Sequence, residues 1–431
     1  MRRKEVFWDR EEELRAIRSQ LGRGRFGYVT GRRRVGKTAL LKRACEALGG
    51  LYHQAVEGTP EQQLMHLAEE IGPDLNVFQD VIPRTWSEFF RLLSREKLPP
   101  LVVFDEFPYW VQGDPTLPSL LQKWIDHSLP KSKTLVLVSG SSQSMLYSQF
   151  LDQGSPLYGR ASFHLPVEPM SYAWFCRALK YRAEDPISFT RFSLVGGVPH
   201  YWKLMPRGSV IRQAEELYFA SSAVLAEEPI HWIRDEGITG SLPKAILDLI
   251  GRGVRKPSEL ASRLGTAQGN LSRPLGLLLD LGLIQRELPF RESSRSTKKV
   301  LYSIQDAALS FYYGTFFPNR TRWHRLGRGE KMELLEHHAS RQWESSCKRF
   351  HPGSSRYWEG QVEIDLIGPI KGKRNYMVAE CKWAWLGAKE ERKLLNDLKT
   401  RFQETKLARK LQKSSVTFRI FSKKDLAGYR R

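Results

Sequence analysis

The sequence predicts an α/β chain. A parallel sheet carrying a phosphate-binding loop comes first. A helical segment follows, then three helices with a two-stranded hairpin, and a second α/β domain closes the chain. Three observations predict this. The β-prone residues 26–30 run into a glycine loop that opens directly onto an alanine- and leucine-rich helix. Residues 101–104 and 135–138 are continuous apolar runs ending in polar residues, as buried parallel strands do. After about residue 320 the pattern changes to alternating strands between charged helices.

The glycine loop reads Gly31-Arg32-Arg33-Arg34-Val35-Gly36-Lys37-Thr38 and fits G-x-x-x-x-G-K-[ST], the P-loop. Gly31 and Gly36 permit backbone angles that turn successive N–H groups around a phosphate. The following helix points its positive end at the same anion. Lys37 is expected on the β- and γ-phosphates of ATP, and Thr38 on Mg2+ through its hydroxyl. Arg32, Arg33, Arg34, Val35 and Ala39 complete the expected nucleotide contacts.

The chain has 431 residues, enough for two to four domains, with 41% hydrophobic and 11% aromatic residues. The net charge of +21 suits a nucleic-acid partner better than an anionic membrane surface. A generally basic proteome is the bland alternative. The four cysteines form no C-x-x-C pair, which argues against a zinc ribbon or disulfide framework and for a reducing cytoplasm. The basic N-terminus leads into no apolar segment, so no signal peptide is expected, and no run is long enough to span a bilayer.

Taken in order, residues 9–14 open a helix with Asp9 as the expected N-cap and acids in its first turn. Residues 51–56 read as a strand, and helices are expected at 60–71 and 86–93. The apolar run 101–104 ends in Asp105 and Glu106, at the strand tip where open α/β sheets bind ligands. Asp105 is expected on the Mg2+ shell, and Glu106 is expected to polarise the attacking water. The run 135–138 ends in Ser139-Gly140-Ser141-Ser142. Ser141 is the expected γ-phosphate sensor, with Ser139 and Ser142 as close rivals. Arg160, in Tyr158-Gly159-Arg160, is expected as an arginine finger or sensor, against the alternative of a surface charge.

These motifs, together with Gly196-Gly197-Val198-Pro199-His200-Tyr201, resemble the archaeal-type ATPase family of prokaryotes, a branch of the AAA-like and STAND-like P-loop NTPases. The resemblance implies a helical lid over about residues 168–235, with the Gly-Gly-Val-Pro turn between lid helices. Family members carry Gly-Arg-Glu near the N-terminus. Here the stretch is Trp8-Asp9-Arg10-Glu11, with the glycine displaced.

Residues 243–250, 256–264 and 268–282 read as three helices, the second capped by Ser258 and ended by Gly265. Residues 283–288 and 299–304 read as two strands. This is the pattern of a winged helix. Its third helix would present Gln268, Asn270 and Arg273 to a major groove, and Arg291, Arg295, Lys298 and Lys299 on the wing would meet phosphates. A packing or regulatory module is the even alternative, since Pro274 and Gly276 lie inside the third helix.

The tail reads helix, three strands, helix, strand. Asp365 lies on an alternating strand, and Glu380-x-Lys382 on the next. Glu380 and Lys382 share one face of their strand by the period of two. This order resembles the PD-(D/E)xK nuclease superfamily, a restriction-endonuclease-like fold. The resemblance implies a divalent cation on Asp365 and Glu380, with Lys382 positioning water and Glu344 as an accessory acid. Glu363 shares the face of Asp365 and is its alternative. A plain cross-strand ion pair is the bland reading.

The chain is therefore expected to hold a P-loop ATPase core (1–167), a helical lid (168–235), a winged helix (236–320) and a nuclease-like domain (321–431). ATP and Mg2+ are the expected cofactors, and DNA is the favoured partner. No membrane partner is expected, and the sequence leaves a homo-oligomer open. The alternative function is a STAND-like switch whose tail binds nucleic acid or protein without cutting.

Overall fold

The protein is described from a computed structural model over residues 7–293, 299–372 and 374–429. It divides into two compact units. The first comprises residues 1–170, 198–200 and 234–237; the second comprises the remainder. The four-part division expected from the sequence is finer than this.

The first unit is built on five strands: β1 (Arg25–Thr30), β2 (Leu51–Gln54), β3 (Leu101–Asp105), β4 (Leu135–Ser139) and β5 (Phe163–Pro166). All pair in parallel, in the order β2-β3-β4-β1-β5. Alternation decides which layer each side chain joins. Phe26, Tyr28, Val102, Phe104, Val136 and Val138 enter one core. Val29, Leu101, Val103, Leu135 and Leu137 enter the other. A sheet covered on both faces has no use for polar alternation, and its strands read as unbroken apolar runs. Gly27 admits the edge strand, because a Cβ there would lie 2.6 Å from the Phe163 carbonyl oxygen.

The first helix, Glu11–Ser19, is not capped by Asp9. Arg10 is its N-cap, in left-handed backbone at φ 87° with no side-chain cap, and Asp9 also has positive φ (54°). Asp9 thus takes the backbone conformation a glycine takes most readily.

The second unit begins with helices that include Tyr172–Leu179, Pro186–Val195 and Val224–Asp235, the last passing into the first unit at residue 234. Gly196 holds φ 61° between Pro186–Val195 and Pro199–Lys203, as the turn motif leads one to expect. Helices Ser241–Gly251, Pro257–Arg263 and Ser272–Asp280 follow, with β6 (Ile284–Glu287) antiparallel to β7 (Leu301–Ile304). Two details differ from expectation. Lys256, not Ser258, caps the second helix, because Pro257 takes its first position. The third helix is split into a 3₁₀ turn, Gln268–Leu271, and the α-helix Ser272–Asp280. Pro274 falls in the first turn of that helix, where its missing N–H breaks no hydrogen bond. Arg295 and Lys298 lie outside the described residues.

The tail sheet has the order β11-β10-β9-β8, from β8 (Ser355–Glu359), β9 (Val362–Pro369), β10 (Asn375–Cys381) and β11 (Ser415–Phe421). The first three pair antiparallel, and β11 runs parallel to β10 after the crossover helix Ala388–Gln403. Ile364, Ile367, Val378, Leu398 and Ile420 form its core. Among the described residues, no helix is long and apolar enough to cross a membrane.

Candidate nucleotide site and the acid cluster of the tail

The nucleotide site lies at the carboxyl ends of β1, β3 and β4, within the first unit. The loop leaves β1 at Gly31 (φ 147°) and enters the helix Lys37–Leu48 at Gly36 (φ 103°). Gly31 is required twice over. Its φ is positive, and a Cβ would lie 2.5 Å from the Val167 carbonyl oxygen. Lys37 folds back onto the loop: Nζ donates to the carbonyls of Gly31 (2.7 Å) and Arg32 (3.2 Å). Burial pulls its pKa down, against the nearby Glu106, Asp105 and Glu236 carboxylates.

Asp105 gathers the site. Its Oδ2 accepts from Thr38 Oγ1 (2.7 Å) and Tyr52 Oη (2.8 Å). Its Oδ1 accepts from Ser139 Oγ and from the Glu106 N–H. Glu106 sits in left-handed backbone at φ 56°, which turns its side chain from the line of β3. Its Oε2 accepts from both the N–H and the Oγ of Ser141, each at 2.9 Å. The three rival hydroxyls therefore divide their tasks. Ser139 holds Asp105, Ser141 holds Glu106, and Ser142 caps the helix Gln143–Phe150.

Two residues here escaped the sequence reading. Tyr52 is displaced from Asp105 by 53 positions, and only the pairing of β2 with β3 brings it there. Burial and the Asp105 charge push its hydroxyl pKa up, so it stays a donor. Arg10 is buried, and its guanidinium donates to the carbonyls of Val35 (3.0 Å) and Glu168 (2.9 Å). It ties the chain ahead of the first helix to the phosphate loop. The displaced Gly-Arg-Glu was its signal.

Arg160 does not stand where a sensor in its own chain would. It pairs with Asp126 (3.6 Å) and donates to the Tyr158 carbonyl. The chain joins β5 just beyond it, where Ser162 bonds Phe26 at the start of β1. Arg160 thus stands at the amino edge of the sheet, opposite the phosphate loop, and cannot act on a phosphate in its own chain's site.

In the second unit, Asp365 and Glu380 do meet. Asp365 Oδ2 accepts from the Cys381 N–H (2.9 Å), and burial and then Glu380 raise its pKa. Lys382 Nζ reaches Glu380 at 2.8 Å, an ion pair of the kind the bland reading describes. Cations already hold these acids. Arg401 takes the other oxygen of Glu380 (2.9 Å). Arg356, only 4% exposed, pairs with Glu344 and Glu363 and lies 3.8 Å from Asp365. The Glu344 carboxylate is turned to Arg356 and Lys348 rather than to a shared cation position. Among the described residues, no group of three or more His, Cys, Asp or Glu side chains could hold a metal. The donors as they stand do not fit the divalent cation expected of Glu344, Asp365 and Glu380. Sequence reasoning missed Arg356, which carries no motif.

Residues 7–201 match the family described as an ATPase domain predominantly from Archaea, and residues 330–394 match a family described as archaeal and bacterial proteins of unknown function. An uncharacterized protein of Methanocaldococcus jannaschii is 26% identical over 414 residues, 91% of each chain. The Walker-type ATPase of Pyrococcus abyssi shares the fold, with a TM-score of 0.55 and 21% identity over 72% of this chain and 97% of that one. The ORC2 protein of Aeropyrum pernix, seen as ADPNP–ADP complexes, matches at a TM-score of 0.39 and 17% identity over 77% of this chain and 93% of that one. The chain carries a P-loop ATPase domain of the archaeal type, followed towards its C-terminal end by a domain from that family of unknown function.

Proposed function

We propose that the chain binds and hydrolyses ATP with Mg2+, and that nucleotide state controls nucleic-acid binding by the winged-helix and nuclease-like parts of its second unit. The observation that carries the first half is the Thr38–Asp105 contact beside a separately held Glu106. The Thr38 hydroxyl and the Asp105 carboxylate are hard oxygen donors of the kind Mg2+ takes. Bound there, Mg2+ would neutralise charge on the β- and γ-phosphates. Lys37 trades its carbonyl partners for those phosphates, and Glu106 orients water. Phosphate release and binding of a fluorescent ATP analogue test this. Lys37→Ala should lose binding. Glu106→Gln should keep binding and lose hydrolysis by about 10²- to 10⁴-fold. Full hydrolysis by Glu106→Gln would refute the role given to that carboxylate.

The second half is supported by charge and by one cavity. A space of about 440 Å³ is lined by Arg286, Arg291 and Arg349, and also by Lys348 and Arg356, which are paired with Glu287 and Glu344. It lies among β6, the loop after it, the helix Arg328–Phe350 and the start of β8. The Arg291 guanidinium stands over the Tyr376 ring at 4.9 Å, a face suited to a phosphodiester and a base. The sheet order of the tail supports its nuclease-like fold. The cations on its acids favour binding without cutting. Plasmid and single-stranded DNA, with Mg2+ or Mn2+ and with or without ATP, decide between the two. Binding without cutting is expected. Cutting that is lost in Lys382→Ala would replace this reading with that of a nuclease.

A further inference from the structure

Four residues, 234–237, belong to the first unit although the chain on either side of them belongs to the second. They finish the helix Val224–Asp235 and turn at Gly237 (φ 72°). Glu236 is 5% exposed, and its carboxylate is fully engaged at one place. Oε1 accepts from the Gln143 N–H (3.0 Å). Oε2 accepts from the Ser144 N–H (3.0 Å) and from Ser142 Oγ (3.3 Å). It caps the helix Gln143–Phe150, whose first N–H groups have no carbonyl within the helix. Its neighbour Asp235 pairs with Arg33 of the phosphate loop.

The capped turn is the one that carries Ser141, and Ser141 holds Glu106 by two hydrogen bonds. A carboxylate accepting several N–H and O–H groups is a strong, directional anchor. The chain of contacts runs from Glu236 through the 142–144 turn and Ser141 to the Glu106 carboxylate. We infer that Glu236 is a positioning residue of the ATPase: it fixes the turn that aims Glu106, from a segment whose two flanks lie in the other unit. Its loss leaves nucleotide binding in place and removes the orientation of water. The inference rests on the role of Glu106 proposed above.

The test compares wild type with Glu236→Gln, Glu106→Gln and the double variant. Steady-state phosphate release is measured beside the Kd of a non-hydrolysable ATP analogue. An amide at 236 keeps one acceptor and loses the other. For Glu236→Gln, kcat should fall tenfold or more with the Kd changed less than threefold. Added to Glu106→Gln it should cost nothing further, since both act on one water. A restored or intermediate kcat in Glu236→Asp, which keeps the charge on a shorter arm, separates positioning from folding. Should Glu236→Gln fail to fold, the same kcat and Kd readings on Glu236→Asp stand in for it. Unchanged kcat in the Glu236 variants, with Glu106→Gln inactive, overturns the inference alone. A fall in kcat matched by a rise in Kd also overturns it, since that is general damage. Normal hydrolysis in Glu106→Gln overturns the reading beneath it.

Discussion

Asp105 accepts four hydrogen bonds from groups on four different segments: Thr38, Tyr52, Ser139 and the backbone of Glu106. A buried carboxylate so held has its oxygen lone pairs aimed before any ion arrives, which is what preorganised ion binding requires. Tyr52→Phe should therefore raise the Mg2+ concentration for half-maximal ATPase activity by about tenfold to a hundredfold and leave the protein folded, a loss of one hydrogen bond to a charged group of about 1.5–3 kcal/mol. A metal titration of activity checks it, and an unchanged midpoint would assign Tyr52 to packing alone. The two loop glycines should differ. Gly36→Ala meets nothing within 4 Å and carries only the strain of its φ, whereas Gly31→Ala also drives a methyl into the Val167 carbonyl. Binding of the fluorescent ATP analogue should fall further in Gly31→Ala, and equal losses would place the cost in the backbone angle alone.

The helix Arg328–Phe350 shows what an element adds. Its His338 is wholly buried, with Nε2 facing the Ser193 carbonyl at 2.8 Å and the ring edge-on to Phe311. A ring nitrogen facing a carbonyl carries a proton, which places it on Nε2, and it is burial that keeps the ring neutral. Burial, with Arg341 and His337 beside it, pushes its pKa down to about 3. The sign follows. Between that value and the ordinary value of about 6.5, the unfolded chain binds a proton that the folded chain does not. Stability is then whole at neutral pH and falls as pH drops, by up to about 1.4 kcal/mol per pH unit. In His338→Gln, whose amide can still donate to Ser193, that slope should be absent. Denaturant midpoints from about pH 7 to pH 4 measure it, and an identical slope in the variant would place the acid sensitivity elsewhere.

At the scale of the whole molecule, a net charge of +21 has to be read through where the cations sit. Some are spent: Arg356, Arg401 and Lys382 neutralise acids in the tail. Others stand on the rim of the 440 Å³ cavity. If these meet phosphates, the logarithm of nucleic-acid affinity should fall steeply with the logarithm of salt. Arg291→Ala should flatten that slope by about one, with no change in ATP hydrolysis. Filter binding across salt concentrations decides it, and an unaltered slope would remove Arg291 from the interface.

Local signals in the chain set most of the elements, the phosphate loop and the acid pair at the tip of β3. The phosphate loop, the apolar strands and Asp105-Glu106 were legible because their signals are local: glycines where φ is positive, unbroken apolar runs where both faces are covered, acids at a strand tip. The tail strands were legible for the same reason, down to the approach of Asp365 and Glu380. Tertiary structure alone decided the rest. Strand order put β4 between β1 and β3, so that Ser139 and Ser141, not a neighbour in sequence, hold the two acids. The direction of β5 put Arg160 at the wrong edge. Contacts spanning tens of residues brought in Tyr52 and Glu236. Arg356 lies a few positions from Glu363, yet only strand pairing aimed its charge at the acids. Such partners leave no periodicity and no spacing in the chain, because an ion pair or a hydrogen bond is satisfied by position in space, whatever the sequence between.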